Sequence, residues 1–204
     1  MKIIPSEAWK IASLTKKNLE LSDIQKYFIF GTLLGDGTLE KNGRYHRLKV
    51  QQSVKQKEYV LWKYGILKNW VVSEPHYQAV NRSLRFRTVS HPILTEFRNK
   101  FYKNQIKILP NDLDQYLENP FVIAVWFMDD GNARDHYGYH LNTQSFSFEE
   151  NQRLAKILNY NFGFDVRVHL NNSKHRLYIG PKNRDSFRSL VKDHIIESLQ
   201  YKLG

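Results

Sequence analysis

Two stretches of almost unbroken apolar sequence, Tyr27 to Leu34 and Phe121 to Met128, each run into an acid and a glycine, giving IFGTLLGDG (Ile29 to Gly37) and IAVWFMDDG (Ile123 to Gly131). Each stretch predicts a buried helix with a carboxylate at its C-terminal end. The start signals agree: Ser22-Asp23-Ile24-Gln25 has the form of a capping box, and Asn119-Pro120 offers an N-cap followed by a proline at the first helical position. Gly37 and Gly131 fit the left-handed position that often ends a helix, so Asp36 and Asp130 are expected in equivalent last turns.

Beyond each Asp-Gly the pattern changes to alternation with period two, which predicts strands. Arg47, Lys49 and Gln51 alternate with Leu48 and Val50, and Arg85 and Arg87 with Leu84 and Phe86. In the second half His140, Asn142 and Gln144 alternate with Leu141 and Thr143. Arg167 and His169 alternate with Val166, Val168 and Leu170, and Lys174, Arg176 and Tyr178 with Leu177 and Ile179. Two further capping patterns, Ser53 to Gln56 and Ser147 to Glu150, follow strands and lead into helical stretches. Each half then reads as helix, two strands, helix, two strands, helix: an α+β chain with two sheets and helices on one side of each.

Several features recur in the same order at separations of 90 to 95 residues: Asp36 with Asp130, Gln51 with Gln144, Phe97-Arg98 with Phe187-Arg188, and Lys107 with Lys202. This points to a duplicated unit and a fused dimer with a pseudo-two-fold axis. The expected division is an N-terminal segment 1–21, a first half 22–118 and a second half 119–204.

Composition narrows the function. With 31 Lys+Arg against 20 Asp+Glu the net charge is +11, which makes nucleic acid the first partner to consider. The 41% hydrophobic and 14% aromatic content supports an ordered core, and the lack of cysteine excludes disulfides, thiol catalysis and cysteine-ligated zinc. The apolar runs fall short of the ~20 residues that span a bilayer. The N-terminal residues lack a secretory signal's apolar core, so no membrane association and an intracellular setting are expected.

A carboxylate at a helix C-terminus faces the negative end of the macrodipole, and a bound cation would reverse that cost. Two such ends side by side make a shared site. Mg²⁺ takes few carboxylates along with water and phosphate oxygens, so one aspartate from each half suffices for phosphodiester hydrolysis. Arg47, Lys49, Arg85, Arg87, Asn142, Arg167, His169, Lys174 and Arg176 are the candidates for a DNA-facing surface, since arginine, lysine and amide side chains read base edges in the major groove.

At the two motifs, and again at WFMDDG (Trp126 to Gly131), LNTQSFSFEE (Leu141 to Glu150) and Tyr201-Lys202-Leu203, the chain resembles the LAGLIDADG homing endonucleases, in their monomeric two-motif branch. The resemblance runs from about Leu21 to the C-terminus. It implies two αββαββ-type halves, a DNA-binding saddle of two antiparallel sheets over a long, loosely palindromic duplex site, and a double-strand break with short 3′ overhangs. It also implies Mg²⁺, with Mn²⁺ able to substitute, held by Asp36 and Asp130, with the backbone of Gly35 and Asp129 as further candidate contacts; the Asp129 side chain is not read as a ligand. Gln51, Gln144, Lys107 and Lys202 complete the candidate catalytic set. The second motif carries Val125 and Asp129 where the first has Gly31 and Gly35, so symmetrical glycine packing is not expected.

Other readings remain open at this level. One is an RNA-binding intron maturase on the same fold, and another a cleavage-dead DNA-binding regulator; retention of both aspartates favours the nuclease over each. A histidine-metal nuclease built on His136 and His140 has the spacing of a helix, but Gly138 lies between them. The setting implied is a mitochondrion or another organelle, with a bacterial or archaeal cytoplasm as the alternative.

Overall fold

The computed structural model describes residues 18–134 and 137–204. The first half consists of α1 (Asp23–Leu34), β1 (Thr38–Asn42), β2 (Tyr45–Ser53), α2 (Lys57–Ile66), β3 (His76–Gln78), β4 (Ser83–Arg87) and α3 (Pro92–Phe101). A connecting segment contributes the short hairpin β5 (Tyr102–Lys103) and β6 (Ile106–Lys107), then α4 (Leu113–Tyr116). The second half repeats the order with α5 (Pro120–Asp130), β7 (Gly131–Ala133), β8 (Tyr139–Leu141), α6 (Phe148–Phe162), β9 (Val166–Asn171), β10 (Lys174–Ile179) and α7 (Arg184–Val191). The sheets are antiparallel and share one topology, β1-β2-β4-β3 and β7-β8-β10-β9. The α+β architecture of two related halves is therefore as the sequence pattern predicts.

The start signals act as expected in three of four places. Ser22 and Ser147 form reciprocal capping boxes with Gln25 and Glu150, and the Asn119 side chain accepts from the Phe121 amide ahead of α5. Ser53 instead opens a 3₁₀ turn, Val54–Gln56, by accepting from the Lys55 amide, and α2 starts only after it. The strand expected through Gln144 stops at Leu141, and Leu170, expected on the apolar face, is exposed at the end of β9.

The expected left-handed ends are absent. Gly131 is extended, with φ −86 and ψ 153, and Gly37 likewise has no positive φ. The chain passes straight from α5 into β7, and from α1 through Gly35, Asp36 and Gly37 into β1, without a left-handed glycine in either connection. What these positions require is the lack of a side chain: a Cβ on Gly131 would lie 2.0 Å from the Phe127 ring, and one on Gly37 2.7 Å from the Thr32 carbonyl oxygen.

Helices α1 and α5 pack side by side at the centre of the molecule. Phe28, Ile29, Phe30 and Leu33 from one and Ile123, Ala124, Val125 and Phe127 from the other are fully buried in a single core that takes in both halves. The connecting segment is tied to the second half, where Glu150 accepts from the Leu109 amide at 2.8 Å and Arg153 donates to the Pro110 and Asn111 carbonyls. Among the described residues no helix is long and apolar enough to cross a membrane.

Candidate metal centre and nucleic-acid interface

Asp130 is the last residue of α5, and Asp36 follows Gly35, the C-cap of α1. Because the two helices run together, both acids reach the same region, with Asp36 exposed and Asp130 half-buried. Burial pushes the Asp130 carboxyl up to about 7, reinforced by the charges of Asp36 and Asp129 and opposed by Lys107 and Lys202. Asp36 is also raised, first by burial and then by Asp129, against the pull of Lys63, a Gln52 hydrogen bond and Lys202. Two acids that resist ionising together form a site with an electrostatic demand for cations.

The two candidate lysines bind the backbone at the helix ends. Lys107 Nζ donates to the carbonyl oxygens of Gly35 at 2.8 Å and Gly37 at 3.2 Å, on either side of Asp36. Lys202 Nζ donates to those of Met128 and Asp129, just before Asp130. Each ammonium thus satisfies carbonyls left over at a helix C-terminus and opposes its negative dipole. Burial lowers both lysine pKa values, and the neighbouring aspartates counter this. The Gly35 and Asp129 carbonyls, considered as metal contacts, are thereby engaged by lysine. Lys107 reaches its place through the β5–β6 hairpin, whose turn residues Asn104 and Gln105 both have positive φ.

The Asp129 carboxylate reaches into the first half and is linked to Asp36 through one shared amide nitrogen. Its Oδ1 accepts from Lys63 Nζ at 2.5 Å and Gln52 Nε2 at 3.1 Å, and its Oδ2 accepts from Thr32 Oγ1 at 2.8 Å. Lys63 Nζ also donates to Thr32 Oγ1 and sits 4.3 Å from the Tyr59 ring centroid. Lys63 and Asp129 are 1% and 0% exposed, so this ion pair is wholly desolvated. Gln52 uses its second amide hydrogen on Asp36 Oδ2 at 3.1 Å. Sequence reasoning missed Lys63, Gln52 and Thr32. The signals existed: Lys63 occupies the apolar stripe of α2 with Tyr59 and Val60, and Gln52 shares the inward face of β2 with Leu48 and Val50.

Gln51 lies on the opposite face of β2, where its Nε2 donates to Ser83 Oγ. The sheet registers align it with a residue other than Gln144. Val50 faces Phe86 as Leu141 faces Leu177, and Lys49 faces Arg87 as His140 faces Tyr178, so the counterpart of Gln51 is Asn142. Asn142 donates through Nδ2 to the Asp130 carbonyl at 2.8 Å, and Gln144 reaches only the Asn142 side chain.

The outer face of the first sheet gathers Arg47, Lys49, Arg85 and Arg87. Arg47 and Arg87 both pair with Glu40 on β1, and Arg85 lies 3.3 Å from His76. The outer face of the second gathers Arg167, His169, Lys174 and Arg176 with His140 and Tyr178, the His169 and Tyr178 rings stacking at 4.3 Å. His136, of the alternative histidine site, lies outside the described residues.

The donor set fits a hard divalent cation. Two carboxylates converge at the helix ends, and among the described residues no cluster of three or more acids, histidines or cysteines is placed to hold an ion. Mg²⁺ commonly binds through one or two carboxylates and leaves its other positions to water and phosphate. Gln52 Oε1 is buried without a hydrogen-bond partner among the described residues, an acceptor that a cation-bound water could satisfy.

Duplicated αββαββ halves, motif helices paired at the centre and acids at their ends define a LAGLIDADG protein. The model of the LAGLIDADG DNA endonuclease family matches residues 26–187, and this chain belongs to that family, whose homing endonucleases are DNA-cleaving hydrolases. It is 30% identical to the "Probable intron-encoded endonuclease 1" of Wickerhamomyces canadensis, over 95% of this chain and 89% of that protein. It is 27% identical to the cytochrome b mRNA maturase bI2 of Debaryomyces hansenii, over 86% and 72%. The homing endonuclease I-WcaI, solved bound to its DNA recognition sequence, superimposes with a TM-score of 0.86 at 27% identity, covering 100% of this chain and 96% of that one.

Proposed function

We propose that this protein is a site-specific double-strand DNA endonuclease of intron homing, acting as a monomer on a long, loosely palindromic site and leaving short 3′ overhangs. The observation that carries the reading is the pair of electrostatically coupled carboxylates, Asp36 and Asp130, at adjacent helix ends between two sheets with basic outer faces. Asp36 and Asp130 would hold Mg²⁺, or Mn²⁺ in its place, which when bound neutralises phosphate charge and favours hydroxide formation. Lys107 and Lys202 hold the helix ends in place and add positive potential beside the scissile phosphates. Gln51, Asn142 and Gln144 border the same region and supply amide groups to orient water or the sugar-phosphate backbone. The arginine, lysine and histidine faces dock the duplex. Intron-encoded relatives support an organellar gene as the setting.

An RNA-splicing role is the second reading, favoured by the similarity to the Debaryomyces maturase. The experiment is cleavage of a duplex joining the exons that flank the gene, with Mg²⁺, comparing the natural chain with Asp36→Asn and Asp130→Asn. Specific double-strand cleavage abolished by either substitution is expected. No cleavage, together with tight binding of the intron's own RNA, would overturn the nuclease in favour of the maturase.

A further inference from the structure

The two motif acids are held differently. Asp36 is fixed by a side-chain hydrogen bond from Gln52, whose amide is itself fixed because its other hydrogen goes to Asp129. Asp129 is held by the Lys63 ammonium and the Thr32 hydroxyl. Among the described residues no hydrogen bond reaches the Asp130 carboxylate; the contacts near it, from Asn142, go to its backbone carbonyl. The difference originates in the motifs, because Gly35 stands where the second copy has Asp129. A Cβ on Gly35 would lie 2.5 Å from the Asp129 Cβ, so the glycine is what admits the extra acid.

We propose that Lys63 and Asp129, acting through Gln52, are positioning residues that orient the Asp36 carboxylate and so make the two halves unequal in metal binding and in strand cleavage. The inference rests on the metal-dependent nuclease reading above. Flipping the Gln52 amide would turn its oxygen toward two carboxylates, so their charges lock its orientation, and the Lys63 ammonium holds Asp129, one of its two acceptors, in place. Rotation of Asp36 away from the cation is restrained by this chain of contacts. Lys107 and Lys202 act on Asp130 through charge, against the opposing charges of Asp36 and Asp129, and among the described residues no hydrogen bond orients its carboxylate.

The first test is Gln52→Met, which keeps the side-chain length and leaves the Lys63–Asp129 pair intact. Two readouts are required: nicking rates of each strand on a duplex labelled at both 5′ ends, and calorimetric titration of Ca²⁺ into the protein–DNA complex. The expected result is a change of tenfold or more in the ratio of the two strand rates, with one Ca²⁺ binding step weakened by a similar factor and the other retained. Equal slowing of both strands with unaltered Ca²⁺ binding would overturn the proposal.

A second variant guards against loss of folding. Lys63→Met alone strands a buried carboxylate and is expected to lower the melting temperature of the protein sharply. Lys63→Met with Asp129→Asn removes both charges without stranding either, and is expected to fold and to show a strand-rate ratio shifted toward that of Gln52→Met. If the double variant folds and keeps the natural ratio, the positioning role of the pair is wrong. Loss of cleavage in Asp36→Asn or Asp130→Asn alongside either overturning result would leave the metal reading standing. Cleavage that survives both aspartate substitutions would remove that reading and this one together.

Discussion

His140 illustrates how a side chain on the binding face can carry a different chemistry from its neighbours. Burial drives its pKa down to about 4, with Arg176, Arg134 and His169 adding to the effect. It is 2% exposed, and its ring lies 5.3 Å from that of Tyr178. At neutral pH it is therefore an uncharged imidazole packed beneath a cationic surface. The consequence for stability has a definite sign. An unfolded histidine titrates near 6.5, so between that value and about 4 the unfolded chain binds more protons, and stability falls as pH falls through this window. Asp36 and Asp130 act in the opposite direction, their raised carboxyls lowering stability as pH rises above 3.8. Comparison with a variant isolates the histidine: urea midpoints at pH 7 and pH 5 should differ less in His140→Gln than in the natural chain. An identical difference in both would exclude His140 as a contributor.

At the level of elements, the central helix pair shows how a duplicated interface can lose its symmetry and stay tight. Gly31 and Val125 occupy equivalent motif positions and face each other, as do Gly35 and Asp129. One member of each pair is a glycine, and the room it leaves is filled by the larger partner. Close approach of α1 and α5 therefore survives without glycine on both sides. A Cβ on Gly31 would lie 2.8 Å from the Val122 carbonyl oxygen and 2.9 Å from the Val125 Cβ. Gly31→Val should lower the melting temperature by on the order of 2–12 °C, the effect of about 1–3 kcal/mol of overpacking in a protein of this size. It should also reduce cleavage, because the same helices carry Asp36 and Asp130. The exchange Gly31→Val with Val125→Gly should recover most of the lost stability. If it recovers none, pseudo-symmetric contact is not what limits the interface.

For the whole molecule, the dominant property is the net charge of +11, to which the basic residues on the outer faces of both sheets contribute. Binding duplex DNA through such surfaces releases condensed counterions. With six to ten phosphates neutralised, affinity should fall by about 10³–10⁵ between 50 and 200 mM salt. Fluorescence anisotropy with a labelled duplex across that range checks this. A nearly flat dependence would mean that the basic faces are not the binding surface. The Glu40 carboxylate, shared by Arg47 and Arg87, sets those two guanidiniums in place before DNA arrives, so Glu40→Gln should weaken binding less than loss of either arginine.

The amino-acid sequence by itself determined the duplication, the order of elements, the caps at Ser22, Asn119 and Ser147, the two helix-end acids and the basic strand faces. Each of these depends on neighbours close in the chain: hydrophobic period, capping spacing and alternation are local quantities. Tertiary structure alone decided how the inner contacts are shared out. Gln52, not its neighbour Gln51, reaches Asp36, because docking of the sheet on the helices determines which face of β2 turns inward. Asn142 takes the place opposite Gln51 because strand register, not distance along the chain, defines equivalence. Gly37 and Gly131 serve packing instead of a left-handed turn because each stands at the entry to a strand. Lys63 and Asp129 are 66 positions apart and meet only when the two halves close on each other, where burial leaves neither charge an alternative partner in solvent.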